Sequence, residues 1–117
     1  MDPFTTAYVE AALWSSTDNS DDRGGDPLDA NYGQDDIAPE TLDKIRRDCE
    51  AFQRDHAEDI DGDVERAGHD FWLTRNHHGA GFWDGDWDSE VGERLTEASQ
   101  AYGSLDLYVG DNGLIYS

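Results

Sequence analysis

Lysine is nearly missing from this chain: it occurs once, at Lys44, among 117 residues. Eight Lys and Arg side chains face twenty-eight Asp and Glu, for a formal net charge of −20. That balance excludes the basic stripe with which proteins neutralise nucleic-acid phosphates, and it repels anionic membranes and anionic substrates. Cysteine is as scarce. Cys49 stands alone, so no intramolecular disulfide can form, and a Cys-based zinc site would need ligands from elsewhere. Cys49 reads as a small buried hydrophobe on a helix. No segment approaches the ~20 apolar residues needed to cross a bilayer. The opening Met1-Asp2-Pro3 carries neither the basic nor the apolar region of a secretory signal, and the expectation is a soluble, intracellular protein.

What is present suits one hydrophobic core. The length is that of a single domain over 1–117. An apolar fraction of 36% is lean, but four Trp, five Tyr and four Phe offset it, because each aromatic ring buries a large area. Duplex DNA carries one charge per ~1.7 Å of axis, so twenty charges match about 34 Å of duplex. A compact chain of this length is roughly 35 Å across. The charge is therefore sufficient for a protein that imitates about ten base pairs of DNA. An Asp-rich, Lys-poor surface also suits concentrated salt, where carboxylates stay hydrated and a Debye length of ~3 Å removes self-repulsion. In that reading the charge is an adaptation to solvent.

Asp2 can cap a first helix with Pro3 at its opening position, and apolar residues recur at helical spacing from Phe4 to Trp14. A long acidic loop follows at about 15–37. The second helix runs from near Pro39 to about Ile60, with Leu42, Ile45, Cys49 and Phe52 in one narrow stripe. Asp61-Gly62-Asp63 breaks it. His69–Arg75 reads as a strand because Phe71, Trp72, Leu73 and Thr74 favour extended structure. It is expected to form a β-hairpin with Phe82-Trp83 across the Gly-rich turn between them. Val91–Tyr102 makes a third helix ended by Gly103. Asn112-Gly113, between Leu105–Val109 and Leu114–Tyr116, predicts a second hairpin. The expected fold is α+β: three helices and a small antiparallel sheet made of two β-hairpins.

The least ordinary segment is His69-Asp70-Phe71-Trp72-Leu73-Thr74-Arg75-Asn76-His77-His78-Gly79-Ala80-Gly81-Phe82-Trp83-Asp84. Together with Ala11-Ala12-Leu13-Trp14-Ser15-Ser16 and Asp106-Leu107-Tyr108-Val109-Gly110-Asp111, it resembles small acidic proteins of bacteriophages and prophages, a family without an established activity. The resemblance implies a phage origin and residence in the host cytoplasm, not a reaction. From the residues themselves, Asp84-Gly85-Asp86-Trp87-Asp88 resembles the start of a calcium loop. The required glycine and terminal carboxylate are replaced by Ser89 and Leu95, so an EF-hand is excluded. His69, His77, His78 and Asp84 are weak candidates for metal ligands, since their spacing fits no common chelating motif. His69 with Asp70, or His78 with Asp84, offers an acid–base pair. Neither has a nucleophile or oxyanion hole beside it in the sequence. The structural alternative is that Arg75, Asn76 and the histidines stabilise a turn.

These residues favour a phage-encoded acidic interaction protein. It would act as a nucleic-acid mimic that inhibits a basic nucleic-acid-binding host protein such as a CRISPR effector, restriction enzyme or repair enzyme. No cofactor, direct nucleic-acid contact or catalytic residue is expected. Partner-binding carboxylates are expected in three groups. The first is Asp18, Asp21, Asp22, Asp26, Asp35 and Asp36 in the loop. The second is Asp55, Glu58, Asp59, Asp61 and Asp63 around the end of the second helix, and the third is Asp84, Asp86 and Asp88. The competing readings are a small metal-dependent or acid–base enzyme centred on His69–Asp84, and an accessory phage protein with a salt-adapted surface.

Overall fold

The computed structural model describes residues 1–17, 25–60, 62–77, 81–82 and 87–117. Four helices carry the fold: α1 (Pro3–Ser15), α2 (Pro39–Ile60), α3 (Val64–Arg75) and α4 (Ser89–Ala101). A two-stranded antiparallel ribbon, β1 (Tyr108–Val109) with β2 (Ile115–Tyr116), ends the chain, and Tyr108 pairs with Tyr116. This overturns the expected three helices with two hairpins: the described residues are mostly helical, with one small hairpin among them.

The error lies in 64–75. The stretch expected as a strand is the C-terminal part of α3, and Val64–Ala67 is its first turn. Ala67, Gly68 and every residue from Asp70 to Arg75 are buried. A helix enclosed on nearly all sides shows no amphipathic stripe, and its aromatic and β-branched residues mimic a strand. Its principal neighbour is α1. A Cβ at Gly68 would lie 2.0 Å from the Phe4 carbonyl oxygen. The bare glycine thus lets the two backbones touch, at a helix-propensity cost of about 1 kcal/mol.

Local rules explain the ends. Asp2 Oδ1 accepts from the Thr5 amide at 2.7 Å, capping α1 with Pro3 in its first turn. Burial alone would raise the Asp2 pKa, but the hydrogen bonds from Thr5 and Gln53 outweigh it and hold the carboxyl below its ordinary value. Gly62, at φ +89°, turns the chain between α2 and α3. Asn112-Gly113 makes the expected hairpin turn, with Gly113 at φ +81° and Asn112 Oδ1 accepting from Leu114 at 3.1 Å. Buried Ile115 fastens the hairpin beside the start of α2, where its carbonyl accepts from the Ala38 amide at 2.9 Å.

The core is aromatic. Phe52 of α2 stacks on Phe71 of α3 at 4.2 Å, with Phe4, Tyr8, Phe82 and Tyr102 around them. Cys49 is fully buried beside this cluster, and desolvation raises its thiol pKa. Arg75 joins all four helices. Its Nη1 donates to Tyr8 Oη at 3.1 Å and to Asp48 Oδ2 at 2.9 Å. Nε and Nη2 donate to the carbonyls of Gly103 and Tyr102 at 2.8 and 3.1 Å, the negative end of α4. The rings of Phe71 and Tyr102 flank the guanidinium at 5.5 and 5.6 Å.

Candidate functional site: the carboxylate surface

The three acidic groups meet different fates. Asp18, Asp21 and Asp22 lie outside the described residues, as do Asp61, Asp84 and Asp86. Asp26 and Asp35 are exposed, and Asp36 is half-buried, its Oδ2 accepting from the Gly33 amide at 2.8 Å. Asp55, Glu58 and Asp63 are exposed near the α2–α3 junction. Asp59 is bound bidentately by Arg94, Nη2 to Oδ1 at 2.7 Å and Nε to Oδ2 at 3.1 Å. Those hydrogen bonds hold its carboxyl below the ordinary range. Asp88 caps α4 by accepting from the Glu90 amide at 3.1 Å. Asp36, Asp59 and Asp88 are thus occupied within the fold, while Asp26, Asp35, Glu58 and Asp63 face solvent, as does Asp55 beside the exposed Arg54 at 3.5 Å.

Sequence reasoning missed a fourth group. Glu90, Glu93 and Glu97 are all exposed on α4 at i, i+3 and i+7, one flank of a helix. The signal was present in part: Glu93 and Glu97 fall four residues apart in the expected third helix, and Glu90 immediately precedes it. Arg94 is the one cation in α4, four residues after Glu90 and three before Glu97, and so on their side of the helix. Its guanidinium is bound by Asp59, so one cation serves Asp59 as well as the three glutamates of this flank. That flank borders an apolar cleft of about 310 Å³ lined by Phe82, Trp87, Gly92 and Thr96. Phe82 and Trp87 meet edge to face at 5.3 Å, and the Trp87 indole donates to Asp70 Oδ2 at 2.8 Å. The Thr96 hydroxyl is buried without a hydrogen-bond partner among the described residues.

The histidine constellation is dispersed. His69 is half-exposed on α3, its Nδ1 3.6 Å from Asp70 Oδ1, and His77 is exposed in the left-handed region at φ +57° just after α3. His78 and Asp84 lie outside the described residues. Among the described residues no three His, Cys, Asp or Glu side chains stand close enough to share a metal ion. Arg75 and Asn76 have structural work: Asn76 Oδ1 accepts from the Leu105 amide at 2.8 Å, tying the C-terminal segment to α3. No helix among the described residues is long and apolar enough to cross a membrane.

Two of the seven Arg are therefore withdrawn from the surface supply, Arg75 into the core and Arg94 into a pair. The exposed surface is more one-sided than the composition alone indicates. Chemically, it can attract and hold cations. Comparison with family models, with curated proteins and with solved structures gives no match to this chain.

Proposed function

We propose that this chain is an acidic interaction protein that occupies the nucleic-acid-binding surface of a basic host protein, its carboxylates standing in for phosphates. The supporting observation is the excess of carboxylates on the surface: Glu90, Glu93 and Glu97 are exposed along α4, whose one cation, Arg94, is already bound by Asp59. Carboxylates facing Lys and Arg form charge-assisted hydrogen bonds and accelerate encounter. The phage-like segment at 69–84 supports an anti-defence setting for that activity.

A displacement assay tests the proposal. Labelled duplex DNA or guide RNA bound to a restriction enzyme, a CRISPR effector or a repair enzyme should be released by the full chain, less effectively as salt rises. Substituting Glu90, Glu93 and Glu97 by Gln together should weaken release. If none of these proteins loses its nucleic acid at low salt, the proposal is wrong.

Salt adaptation is the second reading, favoured by exposed carboxylates on every helix, from Glu10 through Asp43 and Glu65 to Glu97. It requires that the fold form only in concentrated potassium chloride. A cooperative unfolding transition at low ionic strength rules it out.

A further inference from the structure

Trp14 is the anomaly on the surface. It ends α1 with 59% of its area exposed, although the neighbouring Ala11, Ala12 and Leu13 are buried. A large apolar ring in water is the kind of surface that marks an interaction site when charged groups are organised around it. Here they are. Trp14 lines a shallow hollow of about 380 Å³ with Glu10, Ala11, Asp29 and His69. Glu10 stands one helical turn before Trp14, so the two share a face of α1. Asp29 comes from the short turn Leu28–Ala30, whose buried Leu28 holds it beside α1. The His69 ring lies 6.2 Å from the indole and packs on it at a tilt. Neither Glu10 nor Asp29 takes part in an ion pair among the described residues.

An indole face with two unengaged carboxylates is the chemistry that holds a guanidinium. The ring's negative face attracts the cation, while the carboxylates accept its N–H donors. Arginine suits this better than lysine, because its planar, weakly hydrated head stacks on an aromatic ring and presents donors at its edge. We infer that the Trp14 hollow is a docking site for an arginine side chain of the basic partner. This rests on the reading of the chain as an acidic interaction protein, and it adds a discrete anchor to a diffuse field. The field would bring the partner in, and Trp14 would fix where one arginine lands.

The test separates anchor from field. Polyarginine and polylysine peptides of equal length are titrated into the full chain, following binding by fluorescence and the Trp14 indole N–H by NMR. The wild type should bind polyarginine more tightly, with the Trp14 signal shifting for that peptide. Trp14→Leu, which keeps apolar area but removes the ring, should weaken polyarginine binding about three- to fivefold and leave polylysine binding unchanged. Glu10→Gln with Asp29→Asn should weaken both. Equal affinity for the two peptides, an unmoved Trp14 signal, or an unaffected Trp14→Leu variant overturns the anchor while leaving the acidic-surface reading intact. Binding of neither peptide overturns both. Should Trp14→Leu not fold, the wild-type indole shift still decides.

Discussion

Arg75 Nη1 lies 2.9 Å from Asp48 Oδ2, and the two ends of this ion pair are solvated very differently: the arginine side chain is 3% exposed, the aspartate 24%. The cation is therefore the costly member, since it has little water to fall back on. Asp48→Asn leaves a buried guanidinium without its counterion and should destabilise by about 3 kcal/mol. Arg75→Met alone should cost a similar amount by leaving Tyr8 Oη and the ends of α4 without donors. Combining Arg75→Met with Asp48→Leu should cost less than the sum of the single changes, as replacing a whole buried pair often does. Urea unfolding of the three variants measures this.

The Asp2 cap makes an acid-side prediction with a definite sign. Its folded pKa lies below the ordinary value, so the cap contributes its full stability above the unfolded pKa and loses it as pH falls through the lowered folded one. Asp2→Ala should lower stability at neutral pH by about 1 kcal/mol. The gap from wild type should close in acid. Asp2→Asn should keep most of the cap at neutral pH and flatten that closure, because its amide oxygen still accepts but does not titrate. Thermal melts from pH 7 downward follow both.

Glycine-to-alanine changes should differ sharply in cost with position. At Gly68 the new methyl meets the Phe4 carbonyl oxygen at 2.0 Å, and at Gly92 the Phe82 carbonyl oxygen at 2.5 Å. Both contacts are with backbone, which cannot swing away. The expected net losses are about 1–3 kcal/mol despite alanine's better helix propensity. Gly33, whose Cβ would meet nothing within 4 Å, should tolerate alanine with no measurable loss. Denaturant midpoints of the three variants suffice.

Thr96→Val should stabilise the protein. The buried hydroxyl has no partner among the described residues, and valine has nearly the same shape without the unmet polar group. A gain of about 1 kcal/mol is expected. An unchanged or lower midpoint would show that the hydroxyl is satisfied in solution.

Where one face of a helix is wet, the sequence revealed the structure. The stripe Ile45, Cys49, Phe52 placed α2 within its observed bounds, Asp2-Pro3 marked the start of α1, and Asn112-Gly113 placed the hairpin turn. Periodicity failed at α3, where solvent leaves almost no mark on Asp70–Arg75 and local propensity points the wrong way. The role of Arg75 was equally hidden, because its acceptors lie 27, 28 and 67 positions away. No local pattern encodes contacts that far apart. For the candidate site, composition gave the sign of the surface. It could not separate carboxylates that cap or pair, such as Asp36, Asp59 and Asp88, from those left to solvent.

Cys49 gives the molecule a built-in clock. With its thiol fully buried in the core and its thiolate disfavoured by that burial, an alkylating reagent can reach it only when α2 lifts from the core. The rate of modification then counts those openings without any engineered label. A partner that clamps the closed state would slow the count, whatever surface it grips.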